Sequence, residues 1–401
     1  MISRRGFFAG TAVAAVSATA ASITTANVVG SNLAEELGKK AETAVLNRKA
    51  QFYGLHQNGI ELALQSFTTF IALDLKPTTD KLAMKRWMSL LTDDIAKIMS
   101  GEEVVADPHP EIAPGSARAT VTLGFGPGLF EKLNLQDQRP KTFAALPSFK
   151  IDKLQEEFSD GDVLLHVSAD DPILLSHSVR ALIRDSVSFA DVRWTQSGFT
   201  NAQGVSPEGT RQRNLMGQVD GTDNPDLNTE DFDNLVWIKD GPKWAVGGTL
   251  LVLRRISMTL NTWDKMSRPQ KEDVIGRKLS NGAPLTGKLE TDIPDLEATK
   301  PNGLKVISSS AHIRRAGATN LKERFFRRPF NYDVGTDVDG TPNVGLLWTA
   351  YMADLDQYIP VQKRLADFDL LNMWTTPIGS SVWAIPTGVQ PGEKLAEELF
   401  S

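Results

Sequence analysis

The chain has 401 residues, 41% of them hydrophobic, a net charge of −6 and no cysteine. That length allows one large core or two packed together. The acidic balance, with no basic block, argues against a nucleic-acid partner, and the missing thiols exclude disulfides, zinc–thiolate sites, iron–sulfur clusters and cysteine lipidation.

Residues 1–30 read as an export signal. Arg4-Arg5 follows Ser3 and precedes Phe7-Phe8, and an Ala/Val/Thr-rich stretch then runs from Ala9 to about Ala26. Small residues such as Ala18-Thr19-Ala20 suit cleavage, and the stretch is too short and too weakly apolar for a stable membrane span. The arginine pair in that setting resembles a twin-arginine signal, whose export machinery carries proteins already folded. The destination is then periplasmic or extracellular. Residues 31–50, polar with Ala and Lys, read as a linker.

Beyond the linker the pattern becomes regular. Ser66–Leu75 alternates as a strand does, and Pro77-Thr-Thr-Asp80 opens a helix with Met84, Trp87, Met88, Leu91 and Ile95 at helical spacing. Ala117–Gly124 reads as a strand, Pro127–Leu133 as a short helix and Asp162–Ser168 as a strand. Asp171-Pro172 opens a helix to about Asp185, and Phe189–Phe199 is a fourth strand. The order is β-α-β-β-α-β, the split βαβ of a ferredoxin-like unit. A similar order recurs: strand Gly247–Leu260, helix Trp263–Leu279 with Asn261 or Thr262 as cap, strands Arg324–Tyr332 and Val344–Met352, helix Ile359–Leu371 and strand Ser381–Pro386. The fold class is α+β, two ferredoxin-like domains with packed antiparallel sheets, divided as 51–220 and 221–401.

Only five histidines are present: His56, His109, His166, His177 and His312. None pairs at a metal-ligand spacing such as His-Glu-x-x-His. His166 lies mid-strand, His177 mid-helix, His109 between prolines and His56 in a turn, all settings for structural histidines. His312 alone opens a basic run, His-Ile-Arg-Arg; spacing by itself still favours a structural role for it. Upstream lies Gly217-Gln-Val-Asp-Gly-Thr222, downstream Arg327-Arg328. Asp220-Gly221 is a common turn dipeptide, and Arg327 alone reads as a surface strand residue. Together they supply an imidazole, a carboxylate and a guanidinium, which is what a haem peroxidase requires. Asp337-Val-Asp-Gly340 lacks EF-hand spacing, Gly124-Phe-Gly126 lacks the third glycine of a dinucleotide fingerprint, and no Gly-x-Ser-x-Gly elbow occurs.

Several blocks in one order carry a resemblance: Gly54-Leu-His-Gln-Asn-Gly-Ile60, Leu123-Gly-Phe-Gly-Pro-Gly-Leu-Phe130, Arg213 to Thr222, Gly247 to Ile256, Ile275-Gly-Arg277 with Gly282-Ala-Pro-Leu285, His312-Ile-Arg314, Phe326 to Tyr332 and Val361 to Leu365. They span most of the chain and resemble the dye-decolourising peroxidase family, in its exported branch. The resemblance implies a pair of ferredoxin-like domains in a dimeric α+β barrel arrangement, and one non-covalent haem b per chain. It makes His312 the proximal ligand of the haem iron, Asp220 the distal acid–base group and Arg327 the distal arginine, with Gly221 and Thr222 lining the haem. Asp369 becomes the carboxylate that orients His312.

The sequence also departs from the family pattern. Gly317-Ala-Thr319 replaces the usual Asn-Pro-Arg, which leaves Arg314 or Arg315 to meet the haem propionates. Pro329 stands where Gly is usual, and Trp348 where Phe is usual; Leu346 and Trp348 then wall the distal pocket from one strand face. The implied partners are hydrogen peroxide and one-electron donors, including dyes and phenols, and a homodimer is left open. An aspartate as acid–base group, with a reference pKa of about 3.9, predicts best turnover at acidic pH. Large dyes would need a surface relay, with Trp237, Trp244, Trp374, Trp383 and Tyr332 as candidates. The alternative reading is an exported haem-binding protein that releases iron, in the manner of a deferrochelatase.

Overall fold

The computed structural model describes residues 49–104, 107–202, 204–205, 210–320 and 322–401. The proposed signal and nearly all of the linker lie outside them. The alternating run becomes β1 (Phe67–Leu75), buried along almost its whole length. The helical run becomes α1 (Lys81–Ser100), capped by the Asp80 side chain on the Ala83 N–H and closed by Gly101 in the left-handed region at φ 71°. Then come β2 (Thr120–Phe125), α2 (Pro127–Lys132) and β3 (Val163–Ala169). Next is α3 (Pro172–Ser186), capped by Asp171 with Pro172 in its first turn, and then β4 (Ala190–Phe199).

The second half repeats the plan after a short helix, α4 (Glu230–Val236). It comprises β5 (Thr249–Met258), α5 (Leu260–Trp263), α6 (Arg268–Ile275), α7 (His312–Ala316), β6 (Phe326–Arg327), β7 (Phe330–Thr336), β8 (Pro342–Met352), α8 (Ile359–Phe368) and β9 (Thr375–Ile385).

Three expected elements are broken, each for a local reason. The helix expected from Trp263 to Leu279 splits into α5 and α6, because Ser267 and Gln270 form a capping box and Pro269 has no N–H to continue a helix from upstream. Gly276, at φ 85°, ends α6 early. The strand expected over 324–332 divides at Arg328-Pro329 into β6 and β7 for the same lack of a donor. The last helix stops at Phe368, where Asp369 turns extended and caps a 3₁₀ turn over Leu370–Met373.

The sheet runs β5-β9-β2-β3-β1-β4-β7-β8-β6, and β5 also pairs with β8. Strand pairing is thus closed into a ring. The ring consists of two antiparallel four-strand units, β4-β1-β3-β2 and β9-β5-β8-β7, with the same ferredoxin-like order. They join edge to edge through single pairs, Phe125 with Ala384 and Phe199 with Asn331. One apolar cluster, including Phe70, Leu164, Leu251, Phe330, Leu347 and Trp383, draws on strands of both units. A smaller one gathers Met216, Met258, Trp263, Val274, Ile275 and Leu346, with Trp348 and Trp374 packed against it. Leu346 and Trp348 therefore do share one face of β8.

Candidate active site

Residues 212–220 form a tight hairpin, with Arg213 bridged to Val219 and the Asp220 N–H donating to Gln212 O at 3.0 Å. Asn331 of β7 pins this hairpin: its Oδ1 accepts from Leu215 N and its Nδ2 donates to Arg213 O, each at 3.1 Å. Gln212 Nε2 reaches Pro329 O. The hairpin is thereby tied to the chain that carries Arg327. Asn224 completes the tie, donating to Arg327 O at 2.8 Å and accepting from Arg327 N at 3.0 Å.

This scaffold brings Asp220 and Arg327 together, Arg327 Nη1 lying 3.4 Å from Asp220 Oδ1. The Gly221 N–H donates to the same Oδ1 at 2.7 Å, and Gly221 sits at φ 84°, a turn that glycine adopts without strain. Among the described residues no donor reaches Asp220 Oδ2, and no acceptor reaches Arg327 Nε or Nη2. None of these atoms is sealed from solvent.

His312 opens α7. Gly276 lets that turn close in, since a Cβ there would stand 2.3 Å from Ile313 Cγ2. The Leu370 N–H bonds to Ser310 O at 2.9 Å, which brings the end of α8 beside His312. There Asp369 Oδ2 meets His312 Nδ1 at 2.6 Å, while Asp369 Oδ1 accepts from Leu371 N at 2.9 Å. The Asp369 side chain is 3% exposed. In the neutral imidazole, a buried carboxylate facing Nδ1 places the proton there and leaves the lone pair on Nε2. Burial opposes protonation of His312, but the Asp369 charge and hydrogen bond outweigh it and hold the imidazole above its ordinary pKa; the charges of Arg327 and Asp220 also reach it. The His312 side chain is packed about by protein yet 32% exposed. No described group bonds to Nε2.

The other site expectations divide. Thr222 Oγ1 donates to Glu290 Oε1 at 3.0 Å. Arg314 is committed elsewhere than expected: its guanidinium bonds to the carbonyls of Ser308, Ile307 and Leu296, tying the turn before His312. Three of the remaining four histidines have structural partners. His56 bonds to Gly247 O at 2.6 Å and stacks on Trp237, His166 bonds to Thr68 Oγ1 at 2.8 Å, and His177 pairs with Asp107 at 2.5 Å. His109 is exposed. Of the five relay candidates, Trp237, Trp244, Trp383 and Tyr332 are buried, and Trp374 alone is partly exposed. Sequence reading missed Asn224, Arg211 and Glu290. Only Asn224, four residues after Asp220 in a turn-rich run, carried a local signal.

Among the described residues no cluster of three or more His, Asp or Glu is arranged to hold a metal. His312 would therefore hold iron as one ligand of a group that brings the others, as a porphyrin does. The bare Nε2, a free carboxylate oxygen and free guanidinium nitrogens fit such a group.

Comparison with known proteins agrees. Residues 57–200 match the model for the Dyp-type peroxidase N-terminal region, and residues 211–390 that for its C-terminal region. A dye-decolorizing peroxidase of Thermobifida fusca is 35% identical, over 99% of this chain and 97% of its own length. A deferrochelatase of Escherichia coli K12 is 32% identical over 88% of this chain and 86% of its own. A crystal structure of a DyP-type peroxidase from Cellulomonas bogoriensis superposes with a TM-score of 0.86 at 44% identity, covering 89% of this chain and 99% of that one. DtpA from Streptomyces lividans superposes with 0.86 at 35%, covering 90% and 99%. With both halves matched and the two-unit barrel shared, the chain belongs to the Dyp-type peroxidase family.

Proposed function

We propose that this protein is a haem-dependent peroxidase that reduces hydrogen peroxide while oxidising one-electron donors such as dyes and phenols. The observation that carries the reading is the set of unpartnered polar atoms on His312, Asp220 and Arg327, whose charges reach one another. Non-covalent haem b, which His312 Nε2 would hold, would supply the redox-active iron that peroxide chemistry needs.

The polypeptide does the rest. Asp369 fixes the His312 tautomer and strengthens its donation. Asp220 Oδ2 takes a proton from one peroxide oxygen and returns it to the other. Arg327, through the nitrogens not facing Asp220, steadies the negative charge growing on the departing oxygen. Trp374 offers a route for electrons from donors too large to enter.

Relatives named deferrochelatase support a second reading, iron release from haem. It would use the same His312 but leaves the Asp220–Arg327 pair without a task. Rapid mixing of the haem-loaded protein with peroxide separates the two. The peroxidase reading expects a prompt change in the Soret band that slows by about 10²- to 10⁴-fold in Asp220→Asn and by about 10²-fold in Arg327→Leu. Equal rates in all three proteins would remove it.

We infer also that residues 1–30 send the folded, haem-loaded protein through the twin-arginine machinery to the periplasm or the cell exterior. The support is Ser3-Arg4-Arg5 ahead of Phe7-Phe8 and the Ala/Val/Thr-rich stretch. Replacing both arginines by lysine should retain the protein in the cytoplasm.

A further inference from the structure

Between α6 and α7, residues 277–311 form a strap with no helix or strand, only two isolated bridges, Arg277 to Pro284 and Thr299 to Lys305. Its middle is nevertheless fixed. Asp292 Oδ2 accepts from Lys288 N at 2.7 Å and Leu289 N at 3.0 Å, and Arg277 Nη1 donates to Gly282 O at 2.7 Å and Glu290 O at 2.9 Å. The backbone on both sides of the Glu290 side chain is thus held before that side chain makes any contact.

Glu290 Oε1 then accepts from Thr222 Oγ1 at 3.0 Å and lies 3.1 Å from Arg211 Nε. Arg211 Nη1 in turn donates to Gly221 O. The Gly221–Thr222 unit is braced through its carbonyl and through its hydroxyl, and both braces meet at one carboxylate. This is the turn whose Gly221 N–H holds Asp220 Oδ1. Glycine at a positive φ gives the turn little stiffness of its own. Glu290 and Arg211 are both partly exposed, so their pairing adds little to global stability; what it fixes is position.

We propose that Glu290 is a positioning residue for Asp220: through Thr222 and Arg211 it holds the turn that sets the carboxylate against Arg327. The inference deepens the peroxidase reading and rests on it for its kinetic consequence. Displacement of a reacting group by about 1 Å can cost about 10²-fold in rate, so loosening the brace should show in the peroxide step.

The test compares native protein with Glu290→Ala and Glu290→Gln. In the haem-loaded proteins, Glu290→Ala should lower the bimolecular rate with hydrogen peroxide by about tenfold or more. It should shift the acid limb of its pH profile, with haem content and the KM for a dye unchanged. Glu290→Gln keeps an oxygen for both donors and should restore most of the rate. In the haem-free proteins, amide exchange at Gly221 and Thr222 should be faster in Glu290→Ala than in native. A native rate and pH profile in Glu290→Ala overturns the proposal, whatever the exchange shows. If native haem-loaded protein fails to react with peroxide, the peroxidase reading falls, and unchanged exchange at 221–222 would then also remove the brace.

Discussion

The His312 imidazole and the Asp369 carboxylate meet at 2.6 Å, Nδ1 to Oδ2, with the carboxylate buried. Asp369 also caps the turn that follows α8, so its position is set by backbone and not by the histidine alone. An anion so placed makes Nε2 a stronger donor. Asp369→Asn keeps an acceptor for Nδ1–H and the cap but removes the charge. Haem should still bind, its reduction potential should rise, and peroxidase turnover should fall by about 10- to 100-fold. A spectroelectrochemical titration beside a turnover assay checks this; native values for both would contradict it.

Asn224 touches neither His312 nor the carboxylate of Asp220, yet both bonds between the Asp220 loop and the backbone of Arg327 run through its amide. Asn224→Ala should leave haem uptake intact and slow the peroxide step by about tenfold or more, because a guanidinium displaced even slightly meets the charge poorly. It should also lower stability by about 1–3 kcal/mol through the two unpaired backbone groups. Urea unfolding and rapid mixing on one preparation measure both, and a variant stable and fast as native would be inconsistent with the clamp.

His166 is buried within the barrel, its ring stacked on Phe70 and bonded to Thr68. Burial, with the nearby Arg328 charge, pushes its pKa down to about 3. In the unfolded chain the value returns to about 6.5. Between those values the unfolded state binds a proton that the folded state refuses, so stability falls as pH drops through that window. At pH 5 the loss from this residue is about 2 kcal/mol relative to pH 7.5. His166→Gln, less stable at neutral pH, should lose less on acidification by about that amount. Urea midpoints of both proteins at the two pH values decide it; parallel losses would show His166 is not responsible.

Much of the first half was legible because β1, α1, β3 and α3 carry clean periodicities with Asp caps and flanking prolines. The second half misled where prolines sit inside apolar patterns: Pro269 and Pro329 each remove one N–H, which a periodicity count does not register. The site residues His312, Asp220 and Arg327 were visible through the family pattern, not through spacing, since they come together only when the 212–220 hairpin is pinned to β7 and Gly276 lets α7 close in. Glu290 and Arg211 lie in irregular chain, where nothing local marks a residue that acts across about 70 to 80 positions of sequence. Arg314 looked available because its partners are carbonyls, which sequence does not display.

The most direct test of the account is a haem titration of cofactor-free protein, followed at the Soret band, for native and His312→Ala with far-ultraviolet dichroism confirming that both are folded. The native protein should bind one haem per chain with a histidine-ligated spectrum, and the variant should bind haem weakly with that spectrum lost. Superimposable titrations, alike in stoichiometry, affinity and band position, would contradict it.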